Sequence, residues 1–429
     1  MTGPAEEFRA VAARHPRCFW LDGVGSRPWS GRRSVLGWLE PEDVSLAYDA
    51  RTREVTRYAG GRAEVVGDDP FTVLAEELAA GSATDRWFGY LGYAARADLP
   101  AYPSRRDGAG LPDAVWMRPS RVRVVEVPLL GQSSGFSGSA MPENPGDPRP
   151  PTPTYRAAFD RVQEHLHAGA SYEVNLTHRV TRAVDRDPVA TYLRLRELNP
   201  APYAGFVQHD VPGAQAWVLG SSPERYALVE RDPDGGRTLE TRPIKGTTPR
   251  GATPAEDERW RTELRTAARF RAENLMIVDL LRNDLAQVCE PGTVQVPELM
   301  AVESYATVHQ LVSTVRGRLR PDVPTVEALR ALFPAGSMTG APKLRTMQVI
   351  EEVEETPRGA YAGALGWVGA DGRADLGVVI RALTTTGDGT WQVGTGGGVT
   401  VHSSVEAEYA EAVFKAERVL AALAVGHRR

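Results

Sequence analysis

Short apolar runs broken by Gly, Pro and Asp fill the chain up to about residue 127, among them SVLGWL (34–39), VSLAYD (44–49) and VRVVEVPLL (122–130). Their length, their branched and aromatic content and their punctuation predict strands. WFGYLGYAAR (87–96) is aromatic and interrupted by Gly. That predicts a strand packed closely against a neighbour. From Gly131 to Pro153 the pattern vanishes into GQSSGFSGSAMPENPGDPRPPTP. A Ser/Gly-rich and then Pro-rich stretch of this kind predicts a linker at the surface.

Periodicity returns afterwards. Phe159, Val162 and Leu166 recur at helical spacing and predict a helix from about Thr154 to Ala168, stopped by Gly169. SYEVNLTHRV (171–180) alternates like a strand, and TYLRLRELNP (191–200) predicts a helix ending at Asn-Pro. YAGFVQH, AWVLGSS and RYALVE follow as strands. One long helix is predicted from Thr253 to Leu285, apolar almost all round near NLMIVDLL and therefore buried there. VQVPEL and VHQLVSTVRGRL predict strands, and 325–332 a helix. YAGALGWVG, DLGVVIRAL and WQVGTGGGVTV predict consecutive strands, antiparallel given their short turns. A last helix is predicted from about Val405 to Ala424.

Between the strands and the long helix lies ETRPIKGTTPRG, residues 240–251. Pro243, Gly246, Pro249 and Gly251 predict a rigid turn here rather than a helix or a long strand. The turn holds Lys245, with Arg242 and Arg250 close in sequence. An amine among cations has a lowered pKa, which is how a lysine becomes a nucleophile near neutral pH. The alternative is an ordinary surface lysine.

Glu273 precedes the apolar helical run, so one turn on it meets Met276, Ile277 and Leu280. A carboxylate on a buried face requires a cation, a hydrogen-bond partner or a proton. A structural ion pair would serve as well as a site. Glu408, Glu411 and Lys415 share one helix face. They read either as a solvated salt-bridge face or as carboxylates for a hard cation such as magnesium. The segment FPAGSMTGAPKLRTMQVIEEVE (333–354) lacks the Gly-Lys-Ser/Thr of a P-loop, and what remains is a turn feeding a helix whose free N–H groups could hold an anion. Gly396, Gly397 and Gly398 allow close backbone approach to a ligand, without the helix of a dinucleotide fingerprint.

The remaining composition narrows the class. The chain has 429 residues, a net charge of −5, 42% hydrophobic and 24% charged residues. These are ordinary values for a soluble globular protein of one large or two ordinary domains, with no basic run for nucleic acid. No apolar run reaches membrane-spanning length, and the first residues have no apolar signal core. Cys18 and Cys289 are isolated and suggest a reducing compartment, so a cytoplasmic protein is expected. There is no Ser/His/Asp order, no GxSxG and no HExxH, and the eight histidines form no ligand pattern.

Taken in order, SYEVNLT, SSPERY, TRPIKGTTPRG, RAENLMIVDLLRNDL, VHQLVSTVRG, FPAGSMTGAPKLRTMQVIEE, YAGALGW, VVIRAL and GGGVTVHSSVEAEYAEAVFKA resemble the chorismate-utilising enzymes. These are anthranilate synthase component I, aminodeoxychorismate synthase component I, isochorismate synthase and salicylate synthase. The resemblance is strong over about 171–420 and looser before that. It implies an α/β (α+β) fold, a sandwich of antiparallel sheets flanked by helices. It also implies that residues 1–130 contribute strands to one body with a catalytic region at 154–424, the 131–153 linker notwithstanding.

The lysine indicates the branch. PIKGT is similar to aminodeoxychorismate synthase, whose proposed route uses the lysine amine at C2 of chorismate as the C4 hydroxyl leaves. Ammonia then attacks C4 and expels the lysine. The resemblance implies that Lys245 is the nucleophile and Glu224 the general acid. It implies that Glu273 and Glu411 hold Mg2+, with Glu408 as ligand or supporting residue. Arg381 and Tyr361 are expected at the enolpyruvyl carboxylate. The backbone of Gly396, Gly397 and Gly398 with Lys415 is expected to complete the anion pocket, lined also by Ser337 and Thr339.

Anthranilate synthases carry a histidine where Gln310 stands, and His309 lies one residue earlier. On a strand the two face opposite sides, and an amide is no base near neutrality. That favours a product keeping its enolpyruvyl group. Neither cysteine sits in a glutaminase-like setting, so ammonia is expected from a separate glutamine amidotransferase subunit. Two alternatives stay open: anthranilate synthase component I, and a catalytically silent chorismate-binding regulatory subunit. CFWLDGVGSRPWSGRRS (18–34) lacks the Leu-Leu-Glu-Ser run of relatives that bind an aromatic amino acid, so feedback by tryptophan is not expected.

Overall fold

Alternating strands need two faces covered, and here they cover one another. The computed structural model describes residues 3–23, 30, 33–105, 110–126, 149–305 and 308–424. Among these, two antiparallel sheets of nine and twelve strands form the body. Their inner faces meet in a core of Phe19, Val207 and Val218 from one sheet with Phe88, Tyr90, Val115 and Met117 from the other. Phe19 stacks on Phe88 with ring centroids 4.1 Å apart, a contact worth about 1 kcal/mol beyond its buried area. Helices Pro4–Arg14, Pro188–Leu198 and Val405–Leu420 cover the outer face of the nine-stranded sheet. Helices Pro70–Ala80, Ala268–Ala286 and Thr325–Leu332 cover that of the other. This is the helix-flanked antiparallel sandwich that the resemblance implies.

Strands from the first third of the chain are woven into both sheets. Arg17–Asp22 pairs with Tyr203–His209, and Arg86–Leu91 pairs with Ala364–Gly369. The 131–153 linker and the end of the 122–130 run lie outside the described residues, apart from 149–153. Thr152 and Pro153 begin the helix Pro153–His167, where the Thr152 side chain caps the N–H of Tyr155. The tryptophan-related stretch 18–34 lies partly outside the described residues.

The chain crosses between the sheets twice near one another. It leaves Ala216–Ser222 of the nine-stranded sheet, turns at Pro223–Glu224, and enters Arg225–Arg231 of the other. It returns between Ala374–Val378 and Ala382–Thr385, through Arg381, whose backbone is left-handed with φ 52°. DLGVVIRAL is therefore not one strand but a strand, a crossing and a second strand.

Three other expectations need correction. The lysine segment is not a turn: Arg237–Arg242 and Ile244–Pro249 are both strands pairing with Val308–Arg318. Its prolines and glycines instead produce a register shift between Ile244 and Thr247, with Gly246 at φ 102°. That is a bulge, a place where a side chain is re-aimed. The long helix is two, Pro254–Thr266 and Ala268–Ala286, broken at Ala267, which is extended with φ −64° and ψ 128°. Nor is its apolar end buried all round, since Leu275 is 53% exposed. Among the described residues, no helix is long and apolar enough to cross a membrane.

Candidate active site

The bulge, both crossings, the glycine strand and two helices converge on one cavity of about 460 Å3. That volume lies within the range of small-molecule sites. The bulged strand contributes Lys245, and its neighbour Val308–Arg318 contributes Gln310. The crossings contribute Glu224 and Arg381, and Tyr361 lies beside them. Strand Thr390–Val399 supplies Gly396, Gly397 and Gly398. Helix Ala268–Ala286 supplies Glu273, and helix Val405–Leu420 supplies Glu408, Glu411 and Lys415. The short turn Gly336–Met338 adds Ser337.

Thr339 is the exception. It is wholly buried, does not line the cavity, and its hydroxyl donates to the Gly336 carbonyl at 3.2 Å. The hydroxyl is engaged by its own turn, so the expected role falls to Ser337 alone. Nor does the N-terminus of helix Lys343–Val353 line the cavity; this segment reaches it through Ser337 and Met338.

Lys245 departs most from expectation. The neighbouring arginines point elsewhere: Arg242 binds Glu298 and Glu303 at 2.7 Å each, and Arg250 binds Asp257. The Lys245 ammonium is ion-paired with Glu173. Burial opposes its charge, but Glu173, Glu273 and Glu224 outweigh burial and raise its pKa rather than lower it. Glu173 was invisible as a site residue in the sequence. Its signals are its place in SYEVNLT and a carboxylate at a core-facing position of an alternating strand, where it is 1% exposed.

Glu224 is 5% exposed, and burial pushes its carboxyl up to about 7, against the Ser337 hydrogen bond and the charge of Lys245. Ser337 Oγ donates to Glu224 Oε1 at 2.6 Å. Glu224 is thus a carboxyl able to hold a proton near neutral pH and give it up within the cavity. Glu273 is also pushed up to about 7, first by burial, with Glu173, Glu408 and Glu411 adding repulsion against the pull of Lys245. Burial raises Glu408 as well, while Lys415 holds Glu411 below the usual carboxylate range.

Glu273, Glu408 and Glu411 form no closed cage: among the described residues no three His, Cys, Asp or Glu side chains are grouped to hold a metal ion. Glu408 accepts from Ser403 Oγ at 2.7 Å, and Glu411 pairs with Lys415 at 2.7 Å. Three carboxylates that repel one another across one cavity are nonetheless a hard-oxygen donor set. Magnesium takes one or two carboxylates and completes its shell with water and substrate oxygens. The donor set fits such an ion in chemistry, as an open site.

Lys415 is a strut as well as a cation. Its Nζ donates to the Gly396 carbonyl at 2.9 Å, tying the last helix to the glycine strand. Burial presses the Arg381 pKa down, with Tyr361 and Glu411 acting against it. Gln310 faces the cavity with its buried Oε1 unpartnered, while His309 faces the other way, bonded to Ser304 and Asp257. A second cavity of about 230 Å3 adjoins the first and shares Gln310, Arg381, Glu411 and Lys415 with it.

Residues 38–421 match the family described as chorismate binding enzyme. An aminodeoxychorismate synthase of Streptomyces pristinaespiralis is 40% identical over 467 aligned positions, covering 98% of this chain and 63% of its own length. The Escherichia coli (strain K12) aminodeoxychorismate synthase component 1 is 41% identical over 266 residues, 62% of this chain and 56% of the relative. The chain therefore spans less than two thirds of the length of these relatives. In structure it is similar to anthranilate synthase component I from Streptococcus pneumoniae TIGR4. That similarity has a TM-score of 0.71 and 26% identity, and covers 92% of this chain and 93% of the other.

Proposed function

This chain belongs to the chorismate binding enzyme family, and from that premise we propose that it aminates chorismate at C4, yielding 4-amino-4-deoxychorismate. The observation that carries the reading is Lys245 and Glu224 facing one cavity, a lysine beside a carboxyl that burial holds at about 7. Amination at a carbon bearing a hydroxyl needs the hydroxyl protonated as it leaves. Glu224 can supply that proton. It also needs a nucleophile that departs again, and the Lys245 amine can bond C2 and be displaced when ammonia attacks C4.

The other residues bind and orient. Arg381 and Tyr361 receive the enolpyruvyl carboxylate, and the side-chain-free floor at Gly396–Gly398 lets the ring lie close to backbone. Glu273 and Glu411, with Glu408 beside them, are the residues that would hold Mg2+. A bound Mg2+ neutralises and positions the ring carboxylate. Gln310 presents an amide where pyruvate elimination would call for a base. This disfavours an anthranilate product. Ammonia is proposed to come from a separate glutamine amidotransferase subunit. Cys18 and Cys289, both buried free thiols, suit work in the cytoplasm.

The test is product identity. The chain is incubated with chorismate, magnesium and an ammonium salt, beside Lys245→Ala, and the products are identified by mass spectrometry. The expected result is 4-amino-4-deoxychorismate from wild type, with the variant's rate lower by about 1,000-fold or more. Anthranilate or isochorismate from wild type would overturn the reading. Adding a glutaminase subunit with glutamine in place of ammonium should restore turnover. Failure of that arm alone would remove the partner and leave the chemistry.

A further inference from the structure

A lysine that is to attack carbon must first lose a proton, and the cavity surrounds Lys245 with carboxylates that keep the proton on. The carboxylates facing it come from every wall: Glu173 on strand Glu173–Ala183, Glu224 at the first sheet crossing, Glu273 on helix Ala268–Ala286, and Glu408 and Glu411 on the last helix; the cations Arg269, Arg381 and Lys415 line the same cavity. Among the described residues only Glu173 lies within ion-pair distance of Nζ. Its Oε1 makes that contact, and its Oε2 is buried with no hydrogen-bond partner. An orphaned, solvent-shielded carboxylate oxygen is costly, and it needs a reason.

The backbone protects the pair. A Cβ at Gly398 would collide with Glu173 Oε1 and lie 2.9 Å from Lys245 Nζ, so the glycine floor leaves room for this contact and little else. Glu173 itself does not line the cavity. It reaches the reaction only through Lys245.

We infer that Glu173 is the internal proton acceptor that frees the Lys245 amine for each turnover and returns the proton afterwards. The inference rests on the amination proposed above. In the resting pair the proton sits on Nζ. Transfer to Glu173 leaves a neutral amine beside a carboxylic acid. The Nζ lone pair then forms the bond to C2, and the two ring double bonds each shift one position. The C4–oxygen bond breaks onto oxygen, which takes the Glu224 proton and leaves as water. Nζ is now a secondary ammonium. Ammonia bonds to C4, the double bonds shift back, and the C2–N bond breaks onto Nζ, releasing the neutral amine. Glu224 regains a proton from the new C4 ammonium group, and Lys245 regains its own from Glu173. The sum is chorismate and ammonia going to the 4-amino product and water. Glu173 is thus a positioning residue that sets the charge on Lys245, with no contact to substrate.

The test uses the full chain with Glu173→Gln, which keeps shape and removes the acceptor. Two readouts are taken. The first is the ratio of variant to wild-type kcat across pH at constant free ammonia, which cancels the contribution of Glu224. The second is substrate-free acylation of Lys245 against pH, quantified by peptide mass spectrometry. The ratio should be about 1/100 near neutrality and climb about tenfold or more toward pH 9, as solvent takes over the proton, with KM for chorismate changing less than about threefold. Acylation of Lys245 should begin at lower pH in the variant, because the carboxylate that retains the ammonium is gone. A pH-independent ratio together with coincident acylation curves would overturn the inference. Should Glu173→Gln fail to fold, Glu173→Asp serves, with acylation curves again expected to separate. If the chain makes some other product from chorismate, the amination reading falls, while the acylation curves still decide whether Glu173 governs Lys245.

Discussion

Glu224 sets a pH limit on the reaction. Its carboxyl, pushed up to about 7 by burial, must be protonated to act as an acid. Below that value the acid form is present, and above it the form is lost. At constant free ammonia, kcat/KM for chorismate should fall as pH rises past about 7, approaching tenfold per pH unit. A flat profile to well above neutrality would assign the acid elsewhere. The residues that fill such roles differ in how far sequence exposes them. Lys245, Glu224, Glu273 and Glu411 stand in motifs whose composition already suggests chemistry. Glu173 stands in SYEVNLT, but its role is hidden, because its partner lies 72 residues away and only the folded sheets bring the two together. The charge state of Lys245 is hidden for the same reason, since Arg242 and Arg250 are near in sequence but turn to Glu298, Glu303 and Asp257. Thr339 fails differently: the motif is right, but the hydroxyl bonds back to Gly336.

Elements position these residues from behind. Helix Pro254–Thr266 packs on the bulged strand through Leu264, which is fully buried with Leu311 and Met300. Leu264→Ala should destabilise the protein by about 2–4 kcal/mol and loosen the wall that aims Lys245. Chemical denaturation together with kcat is the check. An unchanged kcat at full occupancy would mean that the bulge holds its geometry unaided. The helix–strand alternation was legible from periodicity, and helix Thr325–Leu332 has the bounds expected of it. The break at Ala267 was not, because neither Gly nor Pro marks it. The bulge and a turn look alike in sequence because Pro243, Gly246 and Pro249 suit both. Pairing with Val308–Arg318 decided between them, and that is long-range information.

At the scale of the whole molecule, both sheets are completed by the first third of the chain. Removing residues 1–126 strips Arg17–Asp22 from beside Tyr203–His209 and Arg86–Leu91 from beside Ala364–Gly369, which exposes two strand edges and, with Phe19 and Phe88 gone, uncovers Val207, Val218 and Leu365 of the core between the sheets. The remainder should be insoluble or protease-sensitive alone, and recover when the two fragments are co-expressed. A truncated chain that folds and melts cooperatively by itself would contradict this. Such interleaving is hard to read from sequence, because a strand carries its own alternation but not the identity of its neighbour. Only the resemblance pointed to it.

The crossing at Arg381 has one more consequence. A residue other than glycine held at φ 52° sits in a conformation that costs roughly 1–2 kcal/mol, and burial adds a penalty on its charge. Local preference and fold disagree at this position, a point of frustration inside the site. Arg381→Gly should therefore leave the melting temperature unchanged or higher while raising KM for chorismate about tenfold or more. The cation would be kept there against the interest of the fold, and thermal stability and affinity would move in opposite directions under a single substitution.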